Sequence, residues 1–191
     1  MELKELYRGC RSYRRFLQKP VDKDIIIDAV DNARIASSAR NAQNLRYIAV
    51  MDPDNVKALH PCMHYAGSLP KETGMPKEDE QPVAFIVLIE KEGSGAFIDV
   101  DAGIAANMIV TTLYEKGVGS CILGAVNFKE VKEILSIEEN DTPRLVIALG
   151  YPSHTSTIVE PSEDGSVMYY LDEEKNYCVP KRNFEDIVSF K

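Results

Sequence analysis

The sequence predicts a single domain that mixes helices and strands, and three observations carry that expectation. Apolar residues recur at helical spacing in two separate stretches near the N-terminus. The continuous run Val83-Ala84-Phe85-Ile86-Val87-Leu88-Ile89 is strand-sized and rich in β-branched residues. A longer segment, Asp101 to Lys116, is apolar almost all round. Helices and strands thus alternate along 191 residues, enough chain to bury about 70% of its unfolded surface.

Composition sets the class. Apolar residues make up 45% and charged residues 27%, as in globular domains. No run approaches the ~18 apolar residues of a membrane span, and Met1-Glu2-Leu3-Lys4-Glu5 has no apolar signal core. Lys and Arg number 22 against 30 Asp and Glu, a net charge of −8. That balance argues against nucleic acid as the main partner, because its backbone is bound through cationic contacts. Cys10, Cys62, Cys121 and Cys178 are far apart and form no CxxC pair. Reduced thiols in a cytoplasmic protein are the expectation.

Leu3, Leu6 and Tyr7 predict a short helix over 2–9 that ends at Gly9. Asp22 caps a second helix, with Ile26, Val30 and Ala33 on its inner face and its end near Ala36. Tyr47-Ile48-Ala49-Val50-Met51 reads as a strand, and Asp52-Pro53 starts a helix through Leu59. Four prolines and two glycines over 61–82 give loop composition, read as a mobile lid over a pocket. His60, Cys62 and His64 lie in it, but no carboxylate cluster or second cysteine completes a tetrahedral set, so no metal is assigned. Val83 to Ile89 reads as a strand covered on both faces. Gly93-Ser94-Gly95 after it is taken as an ordinary turn rather than a dinucleotide fingerprint, since Ile98 stands at the third glycine position.

Asp99 or Asp101 caps the apolar helix. Burial on all sides fits either a central core helix or a subunit interface. Gly117 ends it, and the glycine-punctuated Val118 to Ala125 reads as a strand. Asn127 caps a helix through Leu135, and Arg144 to Tyr151 is the last clear strand. In the tail, Met168 to Leu171 and Tyr177 to Val179 pair as a hairpin, followed by a short helix around Phe184 to Val188.

Two polar stretches stand out. Cys10-Arg11-Ser12-Tyr13-Arg14-Arg15-Phe16 gathers three guanidinium groups on an acidic chain. Arginine's planar fork matches phosphate oxygens, so the knot reads as a local anion site or as solvated surface charge. Ser37-Ser38-Ala39-Arg40-Asn41-Ala42-Gln43-Asn44 is small, polar and aperiodic, and runs straight into a strand. It is either a plain helix-to-strand loop or a ligand contact at a strand mouth, where amides suit a heterocycle edge. Lys181 and Arg182 form a second basic pair.

Together these stretches resemble the nitroreductase family, flavoenzymes that hold FMN at a homodimer interface. Arg11-Ser12-Tyr13-Arg14-Arg15-Phe16 is similar to the family's R-S-x-R-x-F signature. Ser37 to Asn44 resembles its P-S-x-x-N-x-Q-P segment. Asp101-Ala102-Gly103, Gly117 to Gly124, and Leu145 to Pro152 resemble its D-x-G helix, its G-x-G-S-C-x-x-G stretch and its strand ending in G-Y-P. The likeness covers nearly the whole chain. The chain departs from the pattern at Cys10, where many members carry a further arginine, and at Ser37 and Asn44, where prolines are usual.

The resemblance implies an α+β fold, a mainly antiparallel sheet flanked by helices, in an interlocked homodimer around the Asp101–Lys116 helix. It implies one domain over 1–191, with 153–191 as an extension across the body or the partner subunit. Arg11, Ser12 and Arg14 should contact the phosphate, ribityl chain and pyrimidine edge of FMN, with Arg14 on the pyrimidine side. Ser37, Ser38, Ala39 and Asn41 should reach the flavin of the other subunit. Leu123 and Gly124 should pass over the ring with backbone groups, and Lys181 or Arg182 should close on the phosphate. No side-chain acid or base is nominated, since the flavin carries the chemistry. The implied activity is hydride transfer from NADH or NADPH, then reduction of a nitroaromatic, quinone or similar acceptor in ping-pong order. The alternatives are a specialised flavin reaction such as reductive dehalogenation, an FMN-binding redox sensor or storage protein without turnover, and a non-flavin dinucleotide domain using Gly93-Ser94-Gly95.

Overall fold

Four of the helices begin where the sequence supplies a cap or a proline. In the computed structural model, which describes residues 2–92 and 95–191, α1 spans Leu3–Gly9 and α2 spans Lys23–Arg34. The Asp22 side chain accepts the Asp24 N–H at the start of α2. Asp52 does the same for Asn55 at α3 (Pro53–Leu59), whose first residue is the expected proline. A short α4 (Lys71–Gly74) precedes the long α5 (Ile98–Glu115), and Asn127 caps α6 (Phe128–Ile134). Neither Asp99 nor Asp101 caps α5. The helix starts at Ile98, so both carboxylates lie within its first turn, where they favour the positive end of the helix dipole. Gly117 ends α5 at φ +77, in the left-handed region. Gly93 and Ser94 of the expected turn lie outside the described residues.

The main sheet has five strands: β1 (Phe16–Leu17), β2 (Leu45–Val50), β3 (Ala84–Glu90), β4 (Gly119–Leu123) and β5 (Thr142–Pro152). Every pairing in it is antiparallel. β5 is the hub, bonded to β1, β3 and β4, with β2 added at the far side of β3. Alternation explains the unbroken apolar run of β3. Ala84, Ile86 and Leu88 pack under α2 and α5, with Ile26, Ala29, Ala106 and Ile109. Phe85, Val87 and Ile89 pack on the opposite face against Val56 and Leu59 of α3 and Val131 of α6.

Residues 60–66 correct the expectation of a mobile lid, because they form part of that second core. Cys62, Met63 and Tyr65 are buried. The His64 N–H donates to the Ala125 carbonyl and the Asn127 N–H to the Cys62 carbonyl, tying the segment to the chain beyond β4. His60 stacks on Tyr65, while the Cys62 thiol faces Glu130. Among the described residues no three metal-capable side chains cluster.

The tail forms a second sheet of β6 (Ser156–Val159), β7 (Tyr170–Leu171) and β8 (Tyr177–Pro180). β7 and β8 make the expected hairpin, and β6 adds to β8 in parallel, which local sequence did not foretell. A 3-10 turn at Phe184–Asp186 replaces the expected terminal helix. The expectation that α5 is buried all round holds on one side only. Ala102, Ala105, Ala106, Ile109 and Leu113 are buried, whereas Val100, Gly103, Ile104 and Asn107 lie exposed, Val100 at 56%.

Candidate cofactor-binding site

The basic stretch is laid against β4. Ser12 bridges Ser120 in parallel register, and the Tyr13 N–H donates to the Ser120 carbonyl at 2.8 Å. This approach needs glycine at 119. A Cβ there would lie 2.6 Å from Pro152 Cγ and 2.9 Å from the Tyr13 side chain. Tyr13 is buried against Tyr114 and His154, so its two neighbours are turned the other way along the extended chain.

Arg11, Ser12 and Arg14 line a cavity of about 320 Å³ with Cys10, Asn107, Val110, Ser120, Ile122, Tyr169, Val179 and Lys181. The volume is that of a small-ligand pocket. Arg11 Nη2 donates to the Tyr7 carbonyl at 2.6 Å, and Arg14 Nη1 to the Ser12 carbonyl at 3.3 Å. The Nε groups of both arginines are buried without a partner. Among the described residues Arg15 Nε is likewise buried without a partner, away from the cavity, so it is the placement of Arg11, Arg14 and Lys181 around one cavity, more than the orphan N–H groups, that suits an anionic acceptor. The Arg14 guanidinium lies 4.8 Å from the ring centre of Tyr177 and 4.9 Å from that of Tyr169. Burial pushes the Cys121 thiol up against the opposing pull of Arg14, and burial likewise raises Cys10, whose thiol donates to the Val110 carbonyl. Both are packing groups rather than thiolates.

Of the three arginines in this stretch, Arg15 parts from the other two. Arg15 turns to the tail, donating to the Lys175 carbonyl and facing Glu80 at 4.0 Å. The second basic pair also splits. Lys181 borders the cavity, whereas Arg182 borders a separate hollow with Glu160, Glu163 and Asp186.

Residues 37–44 lie elsewhere on the same chain. Ser37 and Ser38 line a second hollow of about 270 Å³ with Asp101 and Ala105, at the start of α5. The Ala39 N–H donates to Asp101 Oδ1 at 2.9 Å, so this carboxylate braces the loop instead of capping its helix. Asn41 is exposed, and Arg40, Asn41 and Gln43 all adopt positive φ between 52° and 55°. Consecutive left-handed residues other than glycine are strained, which is common where backbone is shaped for a ligand. The two hollows share no lining residue, and α5 borders both.

Leu123 sends its side chain into the second core, and Gly124 is exposed just beyond β4. Ile122, between the buried Cys121 and Leu123, joins Ser120 as a β4 residue on the cavity, as strand alternation would have indicated. Asn107 was legible too, as a polar residue on an otherwise apolar helix. Tyr169 was not, since only the tail's path brings it to the cavity. Its hydroxyl accepts the Ser68 N–H at 3.3 Å and joins the 60–69 segment to the same place.

The nitroreductase family model matches residues 7–151. A candidate NADH dehydrogenase/NAD(P)H nitroreductase of Methanothermobacter thermautotrophicus is 26% identical over 159 residues, covering 80% of this chain and 78% of that protein. The nitroreductase family protein of Streptococcus pneumoniae superposes over 100% of both chains with a TM-score of 0.71 at 21% identity. An FMN-dependent nitroreductase of Clostridium difficile superposes over 95% of this chain and 100% of its own, with a TM-score of 0.69 at 21% identity. Those two superpositions speak for the fold, and the family match for descent. The chain belongs to the nitroreductase family and is an oxidoreductase of that family.

Proposed function

We propose that this protein is an FMN-dependent oxidoreductase that takes hydride from NADH or NADPH and reduces a nitroaromatic, quinone or similar small acceptor in ping-pong order. The observation that carries this is the cavity bordered by Arg11, Arg14 and Lys181, with two buried guanidinium N–H groups lacking acceptors. A flavin phosphate and a pyrimidine carbonyl edge supply the acceptors those donors need. Bound FMN would supply the chemistry, accepting hydride from the dinucleotide and delivering it to the second substrate. The chain's own residues bind, orient and neutralise.

With FMN bound, Arg11 and Lys181 would hold the phosphate, Ser12 the ribityl chain, and Arg14 the pyrimidine side, where a cation favours the reduced, more anionic ring. Backbone groups of Leu123 and Gly124, next to Ile122 on the cavity, would contact the ring. Lys181 takes the phosphate role in preference to Arg182, whose hollow is acidic. Ser37, Ser38, Ala39 and Asn41 do not line the cavity of their own protomer, so they are assigned to the flavin of a partner. A homodimer packed on the open face of α5, bearing Val100, Gly103, Ile104 and Asn107, would bring the two hollows together and bury that face.

The chain then acts as one domain over 1–191, with 153–191 as an extension across the N-terminal basic segment, in the cytoplasm. Among the described residues no helix is long and apolar enough to cross a membrane. The purified protein should be yellow with one FMN per chain, and anaerobic NADH or NADPH should bleach it within seconds. Bound flavin that neither nucleotide bleaches would leave a binding protein without turnover. A colourless protein that does not take up added FMN would overturn the proposal.

A further inference from the structure

The ladder between β1 and β5 does not stop where the strands do. Phe16 pairs with Pro152, and the Ser153 N–H donates to the Arg15 carbonyl at 3.1 Å. At the next step the acceptor is no longer backbone. The Arg14 N–H donates to His154 Nε2 at 3.1 Å. His154 Nδ1 lies 2.8 Å from the Thr155 carbonyl, which places the ring proton on Nδ1 and leaves the lone pair on Nε2. Burial, with Arg15 and Arg14 nearby, keeps the ring neutral and therefore able to accept. The imidazole is wedged between Tyr13 at 5.5 Å and Tyr177 at 4.9 Å. Within the N-terminal segment the Arg14 side chain has one local contact, to the Ser12 carbonyl.

We propose that His154 is a positioning residue for Arg14, fixing its backbone by a side-chain hydrogen bond while Tyr177 and Tyr169 flank its guanidinium, so that the C-terminal tail aims Arg14 into the cavity. The inference rests on the cavity being the FMN site. Its consequence is that cofactor affinity depends on a ring that does not line the cavity.

The test compares His154→Phe, which keeps a ring and removes the acceptor, with His154→Gln, which restores an acceptor. Both are read by fluorescence titration with FMN, alone and with Arg14→Ala. His154→Phe should weaken FMN about two- to tenfold, the weight of one neutral hydrogen bond. His154→Gln should recover most of that loss. The double variant His154→Phe/Arg14→Ala should bind FMN as Arg14→Ala does, because the two act as one unit. Equal losses from His154→Phe with and without Arg14 would mean a general structural role and would overturn the inference, as would unchanged affinity in His154→Phe. Where Arg14→Ala itself leaves FMN affinity untouched, the cavity assignment falls and takes this inference with it. If the Phe variant does not fold, amide exchange in the wild-type holoprotein decides. A protected Arg14 N–H supports the proposal, and exchange at open-loop rates overturns it.

Discussion

Arg11→Ala separates an anion site from surface charge. The side chain has one protein partner, the Tyr7 carbonyl at the end of α1, and its Nε is buried without one. The loss to the fold is therefore one exposed hydrogen bond, about 0.5–1.5 kcal/mol. The loss to a bound phosphate is a charge-assisted bond, about 1.5–3 kcal/mol. At ~1.4 kcal/mol per decade, FMN affinity should fall roughly ten- to 150-fold. Arg15→Ala is the matched control, since its Nε is buried without a partner like that of Arg11 but its Nη groups meet the Lys175 carbonyl and Glu80 and it does not line the cavity, so FMN affinity should hold while the melting temperature drops. Fluorescence quenching of FMN on titration with each apoprotein measures both. Raising ionic strength should narrow the gap between wild type and Arg11→Ala, as the screening length shrinks from about 10 Å at 0.1 M to about 3 Å at 1 M. Equal losses from the two substitutions, or none from Arg11→Ala, would mean that the arginines act only through bulk charge and that the cavity is not an anion site.

Gly119→Ala must push both Pro152 and Tyr13 aside, so it should cost about 1–3 kcal/mol in denaturant unfolding and weaken FMN by displacing Ser12 and Arg14. Ile104→Asp, on the open face of α5, should leave a lone protomer folded yet place a carboxylate in the proposed subunit contact. Sedimentation should then show monomers that have lost FMN, and an unchanged dimer would remove α5 from the interface. Acid should loosen the tail through His154, whose pKa burial, together with Arg15 and Arg14, lowers from the ordinary 6.5 to about 4. The unfolded chain binds the extra proton first as pH falls, so this contribution is complete above 6.5 and is lost progressively towards 4. Thermal melts across that window should show a slope that His154→Phe reduces.

What could be read in advance follows from how far apart the interacting residues lie in the chain. Asp22, Asp52 and Asn127 announce helix starts because a cap acts within three residues. The β3 run announced a doubly covered strand because burial on both faces leaves no polar alternation to preserve. Asp101 was misread because the same local rule found a carboxylate near a helix start, while its real partner, the Ala39 N–H, arrives from 62 residues away. The lid was misread because Pro and Gly report backbone shape and not packing, and Cys62, Met63 and Tyr65 are held in the second core by that shape.

The site divides the same way. The Arg11–Arg14 segment suggested its chemistry through residue type, but how Arg14 is held beside the cavity depends on the tail, whose acceptor for the Arg14 N–H lies 140 residues on. Likewise the split between Lys181 and Arg182 follows from β8 ending at Pro180, after which successive side chains diverge to opposite hollows. Neither feature has a local signal, because each is a property of where the tail lands and not of the residues at the landing. On the proposed reading the tail therefore sets how Arg14, but not Arg11, meets the ligand. A tail rebuilt without His154, Tyr169 and Tyr177 should keep the main sheet and lose selective use of Arg14.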